Sequence, residues 1–388
     1  MRFLSVGLLV FLVSCKHSDS LDWNEEFGSP YFKLIENRAF EIDSISSFEF
    51  YYFDYGSVDG EEFLYVVNSV NSSVDVYSLE DSTVKKRFPI PREGPGFINK
   101  PQGLLFYSPD SIFVFPSMMM SSIILFNHKG ELYHHLRVKQ KIDKVFDKVV
   151  NQASLPSMKT IYDGKSLLFT NLTLGSSAGN LDFFTSYHPN FKVDLENDSL
   201  YWMDNITYPE SYIGRYWPID LAFQSNVKNI DKQIVTSWSA LDSLIIRDLE
   251  GVVLRREIAK SKFATLYDFG NEPLTSEEQN LILAKNVKYV QLLYDEFRGL
   301  YYRIATLPRE ISPGEYLDHT SVYKNDFSVI ILNEEFKVLE EVKFPGGIHH
   351  PYLAFVGKKG LYISRANPYN PELSEDRISF DVYAVNEN

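Results

Sequence analysis

Cysteine is almost absent from this chain: Cys15 is the only one among 388 residues. A disulfide framework is therefore excluded, and so is a thiolate zinc site, which needs several sulfurs. Basic charge is short as well, with 38 Lys and Arg against 52 Asp and Glu and a formal net charge of −14. Nucleic-acid partners want a basic footprint and anionic lipid wants a polybasic surface, so the balance argues against both. The apolar run "FLSVGLLVFLV" at 3–13 has eleven residues, well below the roughly 20 that span a bilayer. Glycine (20) and proline (18) are too few for a disordered chain and read as turn material. What remains to stabilise the protein is its core.

The short run does have a reading. Arg2 followed by eleven apolar residues is the pattern of a signal peptide. It ends in Leu12-Val13-Ser14-Cys15, which resembles the lipobox of bacterial lipoproteins. In those proteins the cysteine thiol is acylated with a diacylglycerol and the chain is cleaved just before it. Residues 1–14 are then a signal, 15–31 a tether and 32–388 the folded domain. An acyl anchor contributes roughly 0.8 kcal/mol per buried CH₂. The expected address is the cell envelope, on the outer membrane, with the side of that membrane left open. The mature chain then holds no thiol, which also removes a cysteine nucleophile.

Aromatic residues are abundant, with 25 Tyr and 29 Phe. Such residues fit pleated, half-buried surfaces and point to an all-β protein. One strand type recurs: "FLYVVN" (63–68), "SIFVFP" (111–116), "SLLFTN" (166–171), "QIVTSW" (233–238), "GLYYRI" (299–304) and "GLYISR" (360–365), spaced 48 to 67 residues apart. Each is followed by a partner: "SVDVYS" (73–78), "SIILFN" (122–127), "FFTSYH" (183–188), "SLIIRD" (243–248), "SVIILN" (328–333) and "SFDVYA" (379–384). Further strands precede and follow each pair, beginning with "FEFYYF" (48–53) and ending with "KVLEEVKF" (337–344). Six four-stranded meanders predict a six-bladed β-propeller. The sixth unit runs out at Asn388 without a fourth strand, and "FKLIENRAFEID" (32–43) is left over at the other end. It is expected to supply the missing outer strand and close the ring, which hides two sheet edges.

The lipobox, the run "FPIPREGPGFINKPQGLLFYSPDSIFVF" and the closing "GLYISRANPYNPELSEDRISFDVYAV" resemble an uncharacterised lipoprotein family of Bacteroidota. Its members carry a domain of unknown function and are similar to six-bladed propellers. The resemblance implies fold and address across nearly the whole mature chain. It implies no catalytic residue and no cofactor.

In a meander the first-to-second and third-to-fourth turns share one face, and the remaining connections share the other. The tight turns, such as "SPDS" and "NHKG", fall on the first face, and only the turn between the first two strands of the first unit is longer. The long segments 91–102, 138–156, 206–220, 259–288, 306–326 and 366–377 fall on the second. Long loops carry function more often than short turns do. The long-loop face is therefore the expected ligand site, with Arg92, Arg215, Trp217, Arg303, Arg309, His349 and Arg365 as candidates. Arginine offers a fork for carboxylate or phosphate, and Trp and Arg are frequent at binding hot spots. A peptide, a glycan or a protein is the expected ligand. The rival reading is a lyase or hydrolase on the same face, with His349 or His350 as base beside Asp268 or Glu93. A structural subunit of an envelope assembly is a third. No metal site and no cofactor are expected. His134 and His135 are neighbours in a strand, point to opposite faces and cannot share an ion.

Two motifs are set aside. "GSSAG" (175–179) matches the serine-hydrolase elbow but lacks its strand-to-helix setting. "DLENDS" (194–199) alternates acids like a calcium loop without the glycine and the final glutamate. In "TSEEQNLILAK" (275–285) Thr275 or Ser276 can cap a short helix, with Leu281, Ile282 and Lys285 on one face.

Overall fold

The middle strands of the units are buried along most of their length, and wholly so in Ser166–Asn171 and Phe327–Leu332. A strand packed on both faces by neighbouring sheets reads as a continuous apolar run, which is how the recurrent strands were visible in the sequence. Outer strands such as Leu132–Arg137 keep most residues exposed. In this computed structural model residues 29–386 are described, apart from 47, 49, 118–119, 141–149, 173–176, 178 and 267–271. Cys15, the signal, the tether to residue 28 and Asp268 lie outside the described residues.

The strands form six antiparallel meanders in a ring, five sheets of four strands and one of six. The protein is a six-bladed β-propeller. Blades one to six begin with inner strands at Phe53–Val58, Pro101–Ser108, Gln152–Ala153 with Ile161–Tyr162, Gln224–Lys228, Lys288–Asp295 and Ala354–Gly357. Each interface between adjacent blades holds its own apolar cluster, including Phe40, Phe53, Phe355 and Phe380 between blades six and one. The fourth strand of blade six is Phe32–Glu41, paired antiparallel with Arg377–Val385 from Phe32↔Val385 to Glu41↔Arg377. The expected closure by the N-terminal strand is observed.

Two strands differ from expectation. In blade one the inner strand is Phe53–Val58 rather than "FEFYYF", so the turn to Glu61 is tight, not long. Asp59 and Gly60 have φ of 52° and 89°, and Asp-Gly is a favoured two-residue hairpin turn. In blade three "FFTSYH" is not a strand. Phe183–Ser186 is a helical turn whose aromatic rings cap the interface of blades three and four, and the third strand is Asn190–Asp194. "DLENDS" is then its hairpin turn, where Asp194 accepts from the backbone N–H groups of Glu196 and Asn197. The helix Ser276–Lys285 carries a complete capping box between Thr275 and Glu278. Its buried residues are Leu283 and Ala284, and Leu281 is exposed.

Candidate functional site

Inner strands from all six blades surround the central channel, which holds a cavity of about 300 Å³. Its floor comes from a feature the sequence did not reveal. The inner strand of blade three is interrupted between Ala153 and Ile161, and residues 154–160 fold into the channel. Met158 N–H donates to Leu155 O, making a turn, and Ser154 Oγ bonds Thr160 Oγ1 at 2.5 Å. From across the ring Gln291 Nε2 donates to Pro156 O at 3.0 Å and to Ala354 O at 2.9 Å. Gly103 lets this plug approach blade two, since a Cβ there would sit 2.7 Å from Ser154 Cβ.

Residues at the far ends of the inner strands make the wall and mouth, including Tyr107, Tyr162, Lys228, Tyr294 and Phe297. Those strands end at the tight turns, so the cavity opens on the short-turn face. Aromatic edges flank the opening: Tyr107 meets Tyr162 at 4.6 Å, and Tyr55 meets Phe297 at 6.4 Å. Two lysines enter the cavity. Lys159, on the plug, donates to Asp54 Oδ1 at 2.8 Å, and Asp54 also accepts the N–H groups of Tyr55 and Phe106. Lys228 donates to Tyr162 O at 2.7 Å and lies 5.5 Å from the centre of the Tyr107 ring. Partial burial lowers its pKa from the ordinary lysine value. It forms no ion pair among the described residues.

The long-loop face is built differently, and most of its candidate side chains are engaged within the protein. Arg303 is fully buried between blades four and five and reaches no surface. It donates to Ser237 Oγ (2.9 Å), Ala259 O (2.7 Å) and Leu241 O (2.6 Å), with its guanidinium 3.4 Å from the Tyr289 ring centre. Its expected place on the exposed long-loop face is corrected. Trp217 is buried against Tyr212 at 4.8 Å, part of the aromatic cap, and is not an exposed hot spot. Arg309 is held by Glu315 in two bonds of 3.0 and 2.7 Å. Arg365 pairs with Asp381 and Glu372 at 2.9 and 2.5 Å. Arg215 is half-buried, while Arg92 and Glu93 are exposed. Arg92 makes one long contact, 3.4 Å, to Val70 O.

The histidine pair is buried too. His349 Nε2 lies 2.8 Å from Asp381 Oδ2, and His350 packs on Tyr323 with ring centres 4.7 Å apart. Burial pushes His350 down to about 4, so it is neutral at neutral pH. Among the described residues neither histidine bonds Glu93. Ser177 of "GSSAG" is fully buried and donates to Trp217 O at 2.8 Å. No cluster of three or more His, Cys, Asp or Glu able to hold a metal occurs among the described residues.

The family model of a domain of unknown function, DUF4221, matches residues 31–343. The chain belongs to this family. A crystal structure of a DUF4221 member from Bacteroides vulgatus superposes with a TM-score of 0.74 at 22% identity, covering 92% of this chain and 99% of that one. A putative exported protein from Bacteroides fragilis superposes at 0.56 with 8% identity, covering 94% and 98%. At these identities the two structures establish the fold. No curated protein matches the sequence.

Around Asp381 this DUF4221 propeller ties its closing strand to the last blade. Asn37 of that strand donates to Asp381 Oδ1 at 2.7 Å, while His349 and Arg365 hold Oδ2. Burial alone would raise the Asp381 pKa, but His349, Asn37 and Arg365 outweigh it and hold the carboxyl at about 2. A depressed carboxyl contributes stability above its unfolded value and loses it as pH falls through the folded one. Asp381 is thus expected to contribute about 2 kcal/mol that disappears between roughly pH 4 and pH 2. Urea titrations of the parent and Asp381→Asn at pH 7, 4 and 2 check this. The gap between the two proteins should be widest at pH 7 and shrink across that window.

Proposed function

We propose that this DUF4221 protein is an exported, lipid-anchored binding protein of the cell envelope whose ligand enters the central channel from the short-turn face. The observation that carries the binding site is the plugged cavity with its aromatic mouth and two lysines. Small-molecule sites are typically concave and mostly apolar, with a few convergent polar groups. The cavity has that character, whereas the arginines expected on the opposite face are largely tied up in local bonds. Export is supported by the signal-like segment before Cys15 and by the description of the Bacteroides fragilis relative as a putative exported protein.

Two measurements test the reading. Cells expressing the full chain and fed radiolabelled palmitate should label it, and Cys15→Ser should abolish the label. An unlabelled parent chain overturns the anchor. For the channel, native mass spectrometry of the full chain taken from its own envelope should show a bound small molecule. Val356→Trp, which fills the cavity from a half-buried wall position, should remove that mass. Retention of the mass by a folded Val356→Trp protein overturns the site.

A further inference from the structure

We infer that the channel cavity is built for an organic anion with a flat apolar body, its acidic head on Lys159 and Lys228 and its body between the aromatic edges of the mouth. The inference rests on the channel being the ligand site and adds the chemistry of what enters it.

An inventory of hydrogen-bonding capacity carries the argument. Asn226 gives one Nδ2 hydrogen to Thr170 and accepts from Thr236 through Oδ1, so its remaining capacity includes a donor. Thr160 bonds Ser154, and both Asp54 oxygens are taken. The hydroxyls of Tyr55, Tyr162 and Tyr294 bond Glu62, Gly164 O and Glu334, away from the cavity. The lysines differ. An ammonium carries three N–H donors, and each lysine gives one to a protein acceptor, leaving two apiece among the described residues. The wall is thus rich in donors and poor in acceptors, a match for a head that only accepts.

Charge points the same way. Lys159 is neutralised by Asp54, but Lys228 has no ion-pair partner among the described residues. Asp163, whose field reaches it, is itself held by Lys192 at 3.1 Å. Glu296 is the other carboxylate of the wall; it is exposed on the blade-five turn. A carboxylate seated between the lysines would supply the missing acceptor. The remaining wall is apolar and largely aromatic, with Phe53, Phe106 and Phe355 below the tyrosines. Ring edges and faces of this kind take flat groups in offset or edge contacts.

The test uses 2-naphthoate and its neutral isostere 2-naphthamide as probes, titrated into the full chain in detergent by calorimetry. The acid should bind saturably, and the amide at least about tenfold more weakly, the order expected when a charge-assisted bond becomes neutral. Lys228→Met keeps the stem and removes the charge, and should erase the preference. Tyr107→Ala should weaken both probes, and Arg92→Ala on the opposite face neither. Each variant is accepted only with an unchanged circular dichroism spectrum. Equal binding of acid and amide, with both weakened by Tyr107→Ala, overturns the anionic head and leaves the channel site standing. Absence of binding by either probe, or binding indifferent to both channel variants, overturns the two together.

Discussion

Arg303→Ala is expected to destabilise the propeller by about 3–5 kcal/mol, because several buried neutral acceptors each lose their donor at about 1–3 kcal/mol. The side chain is fully buried, and burial lowers its pKa to about 10, so it is still charged at neutral pH. No carboxylate bonds it among the described residues. Its charge is met by Ser237 Oγ, the carbonyls of Ala259 and Leu241, and the face of Tyr289. Alanine would strand those oxygens, which come from the second strand of blade four, the connection after it and the end of the outer strand, and would open a cavity beside Tyr289. Lysine should recover only part of the loss, because one ammonium cannot satisfy acceptors spread around a planar fork. Urea denaturation read by tryptophan fluorescence checks both, with Trp238 adjacent to the site. A shift in Arg303→Ala no larger than that of an exposed substitution such as Arg92→Ala would show that the fork contributes little. Binding of 2-naphthoate by the folded fraction should be unaffected, which separates this side chain from the channel.

The contrast between Arg303 and Lys228 shows what the sequence could and could not reveal. Both are single cations within strands, and nothing in their neighbours along the chain tells a buried one from one that faces the channel. Arg303 belongs to a second strand, enclosed by adjacent blades, whereas Lys228 ends an inner strand that faces the channel. Strand order within a blade was legible because middle strands are largely apolar and are joined to the inner and outer strands by short turns. The cavity was not, because its wall draws on segments spread from Phe53 to Val356. A usable signal did exist: Asp54 is a charge inside one inner strand, Lys228 ends another, and Pro156 interrupts a third. Loop length is a poor guide to the site, since long loops fold down as caps. Phe183, Trp217 and Leu221 cover the interface of blades three and four. Blade three was misread for the same reason, as a capping "FF" and a strand-forming "FF" have the same local pattern.

Strand direction also relates the channel to the tether. The closing strand starts at Phe32 beside Val385, the end of the third strand of blade six, which lies at the short-turn face. The chain therefore enters the ring on the side where the cavity opens. Fourteen residues, 15–28, precede the described body, and a fully extended chain of that length reaches at most roughly 50 Å. In the proposed anchored protein a leash of that reach lets the channel mouth face the membrane surface. An amphipathic anion partitioning near a membrane surface would then meet the mouth directly.

Phe40→Ala should cost about 3–5 kcal/mol, the range for truncating a buried Phe, and its effect should extend beyond one blade. Phe40 is fully buried on the closing strand, edge-on to Tyr77 of blade one at 5.7 Å and to Phe380 of blade six at 6.1 Å. It therefore joins the first and last blades as well as filling the core. Ile35, on the same strand, is 51% exposed, so Ile35→Ala should fall within about 0.5 kcal/mol, as for an ordinary surface change. If closure makes the ring cooperative, the Phe40→Ala protein should unfold at a lower urea concentration but still in one transition. Hydrogen exchange should show amides of blades one and six losing protection together, although they lie at opposite ends of the sequence. Protection lost in blade six alone would mean that the N-terminal strand only completes a sheet. Joint loss in both blades is what the Phe40 contacts require, because its ring is shared between the two sheets that the closing strand holds side by side.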